Sequence, residues 1–69
     1  MNISARNVIK GTVLQVDHGT VNSVVTLELP GGIEIVSMIT KHSAEKLQLA
    51  PGKEAYAVIK ASNVMIAVD

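Results

Sequence analysis

The strongest constraint on the fold is the alternation from Val21 to Leu29, which runs through Pro30-Gly31-Gly32 into a second β-branched stretch, Ile33 to Thr40. Successive side chains of an extended chain point to opposite faces. Val21, Ser23, Val25, Leu27 and Leu29 then share one face, and Asn22, Val24, Thr26 and Glu28 share the other. Pro30-Gly31-Gly32 closes a hairpin. The returning strand sets Ile33, Ile35, Ser37 and Ile39 on one face and still carries Val36 and Met38 on the other. A strand apolar on both faces is either central in its sheet or packed against another subunit.

The flanking segments extend this pattern. Val8 to Val16 reads as a first strand, and His18-Gly19-Thr20 as a turn. The period of two breaks from Thr40 to Leu49, where Ser43-Ala44-Glu45-Lys46-Leu47 predicts a turn or two of helix. Ser43 is a candidate N-cap there, and Glu45 suits the first turn. Pro51-Gly52 ends the segment, Glu54 to Lys60 is a fourth strand, and Val64 to Val68 a fifth, with a turn at Ser62-Asn63. Five strands with a short helix between the third and fourth is the order of an OB-type barrel. The expected fold class is all-β, a small five-stranded OB-like barrel forming one domain over residues 1–69.

Size and composition point to self-association. Sixty-nine residues bury a modest share of their surface, and chains this short need disulfides, a metal or partners. There is no Cys, which excludes disulfides and thiolate metal sites. His18 and His42 stand apart and make no cation cluster, so any metal is expected only as an oxyanion. The chain is 48% hydrophobic with Tyr56 its only aromatic residue, more apolar mass than so small a core hides. Six basic residues balance six acidic ones with no basic run, which argues against a nucleic-acid partner. No apolar stretch reaches the length of a membrane span, and no signal-peptide layout opens the chain, so the expected compartment is the cytoplasm.

Two donor-rich segments near the ends carry the chemistry, Ser4-Ala5-Arg6-Asn7 and Lys60-Ala61-Ser62-Asn63. Each sets a cation beside a hydroxyl and an amide, with no Asp or Glu inside or adjacent. Arg, Lys, hydroxyls and backbone N–H groups make a site that is nearly all donors. Such a site suits a small anion that only accepts hydrogen bonds.

These segments also carry a family likeness. The chain resembles the Mop family, the molbindins, small cytoplasmic molybdate-binding proteins related to domains of molybdate-transport ATPases and of the molybdate-responsive repressor. The matching motifs are Ser4-Ala5-Arg6-Asn7 with Lys10-Gly11, then Ser37-Met38-Ile39-Thr40 with Ser43, Leu49-Ala50-Pro51-Gly52, and Val58-Ile59-Lys60-Ala61-Ser62 with Val64-Met65-Ile66. The resemblance implies an OB-like barrel assembled as a homo-hexamer, a trimer of dimers, with molybdate or tungstate held between subunits and no organic cofactor. It implies Ser4, Arg6, Thr40, Ser43, Lys60, Ala61 through its backbone, and Ser62 as the inter-subunit site. It implies a second site near the three-fold axis, placed here on His18, Gly19, Thr20, Val21 and Asn22. For a chain of this length the expected role is storage or homeostasis.

The ligand fits the donors. Molybdate near neutral pH is a tetrahedral dianion with no proton, whereas phosphate keeps one and favours a site with an acceptor. Sulfate is also proton-free and must be rejected by size, while tungstate matches molybdate. Three other functions compete. A single-stranded nucleic-acid OB module needs stacking aromatics on a positive groove, and this chain has neither. An enzyme needs an activated pair, and the neighbours Asp17 and His18 point to opposite faces of a strand. A structural assembly module would form the oligomer and bind no oxyanion.

Overall fold

The structure, a computed structural model, describes residues 1–69. It holds strands β1 (Asn7–His18), β2 (Asn22–Leu29) and β3 (Ile33–Thr40), helix α1 (Lys41–Lys46), strand β4 (Glu54–Ile59) and a closing 3-10 turn, Ala61–Asn63. The four strands form one antiparallel sheet in the order β3-β2-β1-β4.

The longest strand, β1, serves both halves of the sheet. Its first part, Asn7 to Thr12, pairs with β4, and its last part, Thr12 to His18, pairs with β2. Thr12 faces both Glu54 and Glu28, so the strand changes partners there. A register shift between Val13 and Gln15 inserts one residue and turns the parity of the strand. Gly11 and Val13 are buried before the shift, and Val16 faces inward after it. At Gly11 a Cβ would stand 2.7 Å from the Glu28 carbonyl oxygen, so only glycine lets β1 pass so close to the end of β2.

The core is Val13, Val25, Leu27, Leu29 and Ala57, with Val16, Ile35, Ile39, Leu49 and Ala55 packed around it. The inward face of β2 is the one its alternation predicts, except that Val21 falls in the turn and is exposed. The β2–β3 hairpin turns through Gly31 and Gly32 at φ 87° and 79°, which L side chains rarely adopt.

Helix α1 begins two residues before the expected start. Thr40, not Ser43, is its N-cap: the last residue of β3 is extended (ψ 149°), and its hydroxyl accepts from the Ser43 N–H at 3.1 Å. Ala44 is the buried residue of the helix, and the Lys53 ammonium donates to the Leu47 carbonyl at 2.6 Å beyond the helix end. The loop before β4 is fastened to β1. The Val13 N–H donates to the Lys53 carbonyl and the Gly52 N–H to the Val13 carbonyl, both at 2.8 Å.

The expected fifth strand does not form, and the sheet is not a closed barrel. Residues 64–69 leave the 3-10 turn without joining a ladder. Alternating apolar residues mark a segment fit for a strand, but a strand also needs an edge to pair with. The outer edges of β3 and β4 are unpaired, and a cavity of about 340 Å³ between them is lined by Leu27, Ile35, Ile39, Ala57, Val58 and Ile59. Met65, Ile66 and Val68 are 94%, 85% and 90% exposed. With only 8 of 69 residues buried, one chain leaves much of its apolar surface uncovered, as its composition implies.

Candidate oxyanion site

The two donor segments meet. Asn7 and Ile59 are partners at the end of the β1–β4 ladder, so the residues just outside them, Arg6 and Lys60, emerge side by side. The Asn7 side-chain amide donates to the Ile59 carbonyl at 3.2 Å and ties this end together. The 3-10 turn then folds Ser62 and Asn63 back, with the Asn63 N–H bonding the Lys60 carbonyl at 2.8 Å. Ser4, Ala5, Arg6, Lys60, Ala61 and Ser62 line one cleft, which Ile3, Val58 and Asn63 complete.

The cleft has no carboxylate in its lining. The chain's one ion pair, Lys10 to Glu54 at 3.1 Å, lies elsewhere, so neither Arg6 nor Lys60 is neutralised by an acidic partner. The Lys10 ammonium is exposed, and its hydrogen bond to Glu54 together with the carboxylate charge raises its pKa. A second polar cleft, at Lys10, Thr12, Glu28 and Glu54, carries two carboxylates and is the wrong sign for a dianion. The donor cleft measures about 600 Å³, room for about twenty waters at roughly 30 Å³ each. One tetrahedral oxyanion fills a small part of that.

Thr40 and Ser43 are not part of it. They sit where β3 passes into α1, at the end of the sheet where Thr40 pairs with Asn22. That end adjoins His18, which pairs with Ser23, and lies at the opposite end of β1 from Asn7. The Thr40 hydroxyl donates to Ser43 Oγ at 2.8 Å and accepts from the Ser43 N–H, so its hydrogen is used. The Ser43 hydroxyl receives that bond and keeps its own hydrogen to give. The stretch His18 to Asn22 runs from the last residue of β1 through the turn to the first of β2, held by the Gly19 N–H bonding the Asn22 carbonyl and the Lys41 N–H bonding the Val21 carbonyl, both at 2.7 Å. Sequence reasoning passed over Asn7 as a tie and Ser23 as a buried partner of His18. The signal for Ser23 was its place as the one hydroxyl among the inward residues of β2.

Sheet, helix and donor cleft define a small all-β ligand-binding domain. Comparisons with known proteins agree. Residues 3–66 match the TOBE domain. A probable molybdenum-pterin-binding protein of Haemophilus influenzae is 44% identical over 69 residues, 100% of either chain. A molybdate binding protein from Sporomusa ovata superposes with a TM-score of 0.93 at 34% identity, over 99% of this chain and 100% of that one. The cytoplasmic molybdate-binding protein ModG, solved with molybdate bound, gives 0.90 at 54% identity, over 94% of this chain and 46% of its own. The chain belongs to the TOBE domain family, in its Mop branch, and is a binding protein rather than an enzyme.

Proposed function

We propose that this protein binds molybdate as the bare oxyanion, between subunits of a homo-oligomer, and keeps it as a cytoplasmic store. The observation that carries this reading is the cleft where Arg6 and Lys60 meet with hydroxyls and no carboxylate. A donor-only cleft suits a proton-free dianion and disfavours hydrogen phosphate. Tungstate, equal in size and charge, is expected to compete. The lining has no aromatic residue on which a pterin could stack, which favours the bare anion.

Two features favour several copies. The cleft is too roomy for the anion, and the Ser43 hydroxyl stands at the far end of the molecule, so the seven site residues come together only if one copy brings Thr40 and Ser43 to the Arg6 end of another. The seam between β3 and β4 is apolar, and the tail from Val64 to Asp69 is exposed. A tail from a neighbouring copy laid in that seam supplies the fifth strand and completes the OB-like barrel. The family likeness favours a hexamer, a trimer of dimers, and a second oxyanion site at His18–Asn22.

Native mass spectrometry with molybdate, tungstate and sulfate tests this. A hexamer that gains several molybdates and no sulfate is the expected result. A hexamer that gains none leaves a structural assembly module, and a monomer removes the inter-subunit site. Binding is also expected to stabilise the assembly by about 2.7 kcal/mol at a hundredfold excess over the dissociation constant.

A further inference from the structure

The side chains of Ser4, Arg6, Lys60 and Ser62 make no hydrogen bond or ion pair within the chain. Lys10 and Lys53, by contrast, are engaged by Glu54 and by the Leu47 carbonyl. The cleft that holds these idle donors also has an apolar part. Ile3 and Val58 line it and are 53% and 41% exposed. A bare tetrahedral anion uses the donors and gains nothing from these two side chains. A ligand that uses both needs a proton-free anionic head joined to an apolar group. The cleft, at about 600 Å³, has the size of a small-molecule site.

Near neutral pH inorganic phosphate carries a proton on one oxygen, and no carboxylate stands in the cleft to accept it. In a phosphate monoester a carbon atom replaces that hydrogen. The last acidic proton of the ester leaves with a pKa of about 6, so at about pH 7.5 the ester is a dianion with three free acceptor oxygens and no donor. The argument against hydrogen phosphate therefore does not apply to its esters.

We propose that the Arg6–Lys60 cleft also takes a small organic phosphate monoester, with its phosphoryl oxygens on Arg6, Lys60, Ser4 and Ser62 and its organic group against Ile3 and Val58. This ligand class rests on the oxyanion reading of the cleft and widens it. Ester and molybdate draw on the same donors, so they compete, and organic phosphates lower the amount of molybdate held.

Calorimetric titration of the assembled protein at about pH 7.5, with molybdate, phenyl phosphate, methyl phosphate and inorganic phosphate, tests this. Phenyl phosphate should displace molybdate, and inorganic phosphate should bind about tenfold or more weakly than phenyl phosphate, since its proton goes unpaired. Covering roughly 60 Å² of the phenyl group should make phenyl phosphate about tenfold tighter than methyl phosphate. Ile3→Ser should remove most of that preference, and Ile3 lies outside every strand and helix. Molybdate that binds and is not displaced by phenyl phosphate overturns the proposal and spares the oxyanion site. Equal affinity for the three phosphates also overturns it, because the cleft then selects charge alone. Silence towards molybdate and all three phosphates overturns the oxyanion reading as well.

Discussion

Asn7 and Ile59 face each other on the last rung of the β1–β4 ladder, and the Asn7 side chain donates to the Ile59 carbonyl across it. That pairing sets Arg6 and Lys60 next to one another, although they lie near opposite ends of the chain. Asn7→Ala removes the tie and is expected to cost about 1 kcal/mol of stability. Molybdate should also bind more weakly, because the two cations are no longer held in register. Chemical denaturation and calorimetric titration on one preparation check both.

Arg6 and Lys60 are the charged donors, and hydrogen bonds from charged groups are worth about 1.5–3 kcal/mol each. Either alanine variant should weaken molybdate roughly tenfold or more, while the ligand-free protein melts at nearly the wild-type temperature because both side chains are exposed. Wild-type affinity in both variants would move the site elsewhere.

Thr40 and Ser43 should separate in function. Thr40→Ala removes the N-cap of α1 and is expected to cost about 0.5–2 kcal/mol of stability. Ser43→Ala keeps the cap, whose essential bond comes from the Ser43 backbone N–H, and should act mainly on molybdate affinity. Melting curves and titrations on the two variants should therefore rank them in opposite orders.

At Gly11 a side chain has nowhere to go. A Cβ there would meet the Glu28 carbonyl oxygen at 2.7 Å, a backbone atom that cannot swing aside, and the Leu29 side chain at 3.0 Å. Gly11→Ala should force β1 off the end of β2 and cost about 1–3 kcal/mol, read as a lower denaturation midpoint at unchanged slope.

The Lys10–Glu54 pair gives a pH signature. Its hydrogen bond to Glu54, then the carboxylate charge, raises the Lys10 pKa above 10.5. A base with a raised folded-state pKa stabilises the fold below its unfolded pKa and loses that contribution as pH climbs through the folded one. Wild type and Glu54→Gln should differ by a constant small amount from neutral pH up to about pH 10 and converge above it. Melting temperatures across the alkaline range check this, and a difference that grows with pH would contradict it.

Much of the fold was legible because its signals are local. The alternation of β2, the glycines of the hairpin and the limits of β3 follow from single segments. The helix start shifted to Thr40 because a cap depends on how the preceding strand ends, which residue preference alone does not fix. The fifth strand is absent within one chain for a longer-range reason: apolar alternation in Val64 to Val68 marks a strand without naming its sheet. The donor pair was visible as chemistry, but its meeting depends on register. The distance of Thr40 and Ser43 from that pair is a property of the topology, carried by the length of β1.

The open seam bears on supply in the cell. A chain with two bare strand edges and an exposed apolar tail offers a template for pairing to extended segments, its own kind or not. Below the concentration at which copies find each other, newly made chains are expected to be lost to proteases or to mispairing. Binding capacity should then rise more steeply than in proportion to the number of copies made, with a threshold set by assembly.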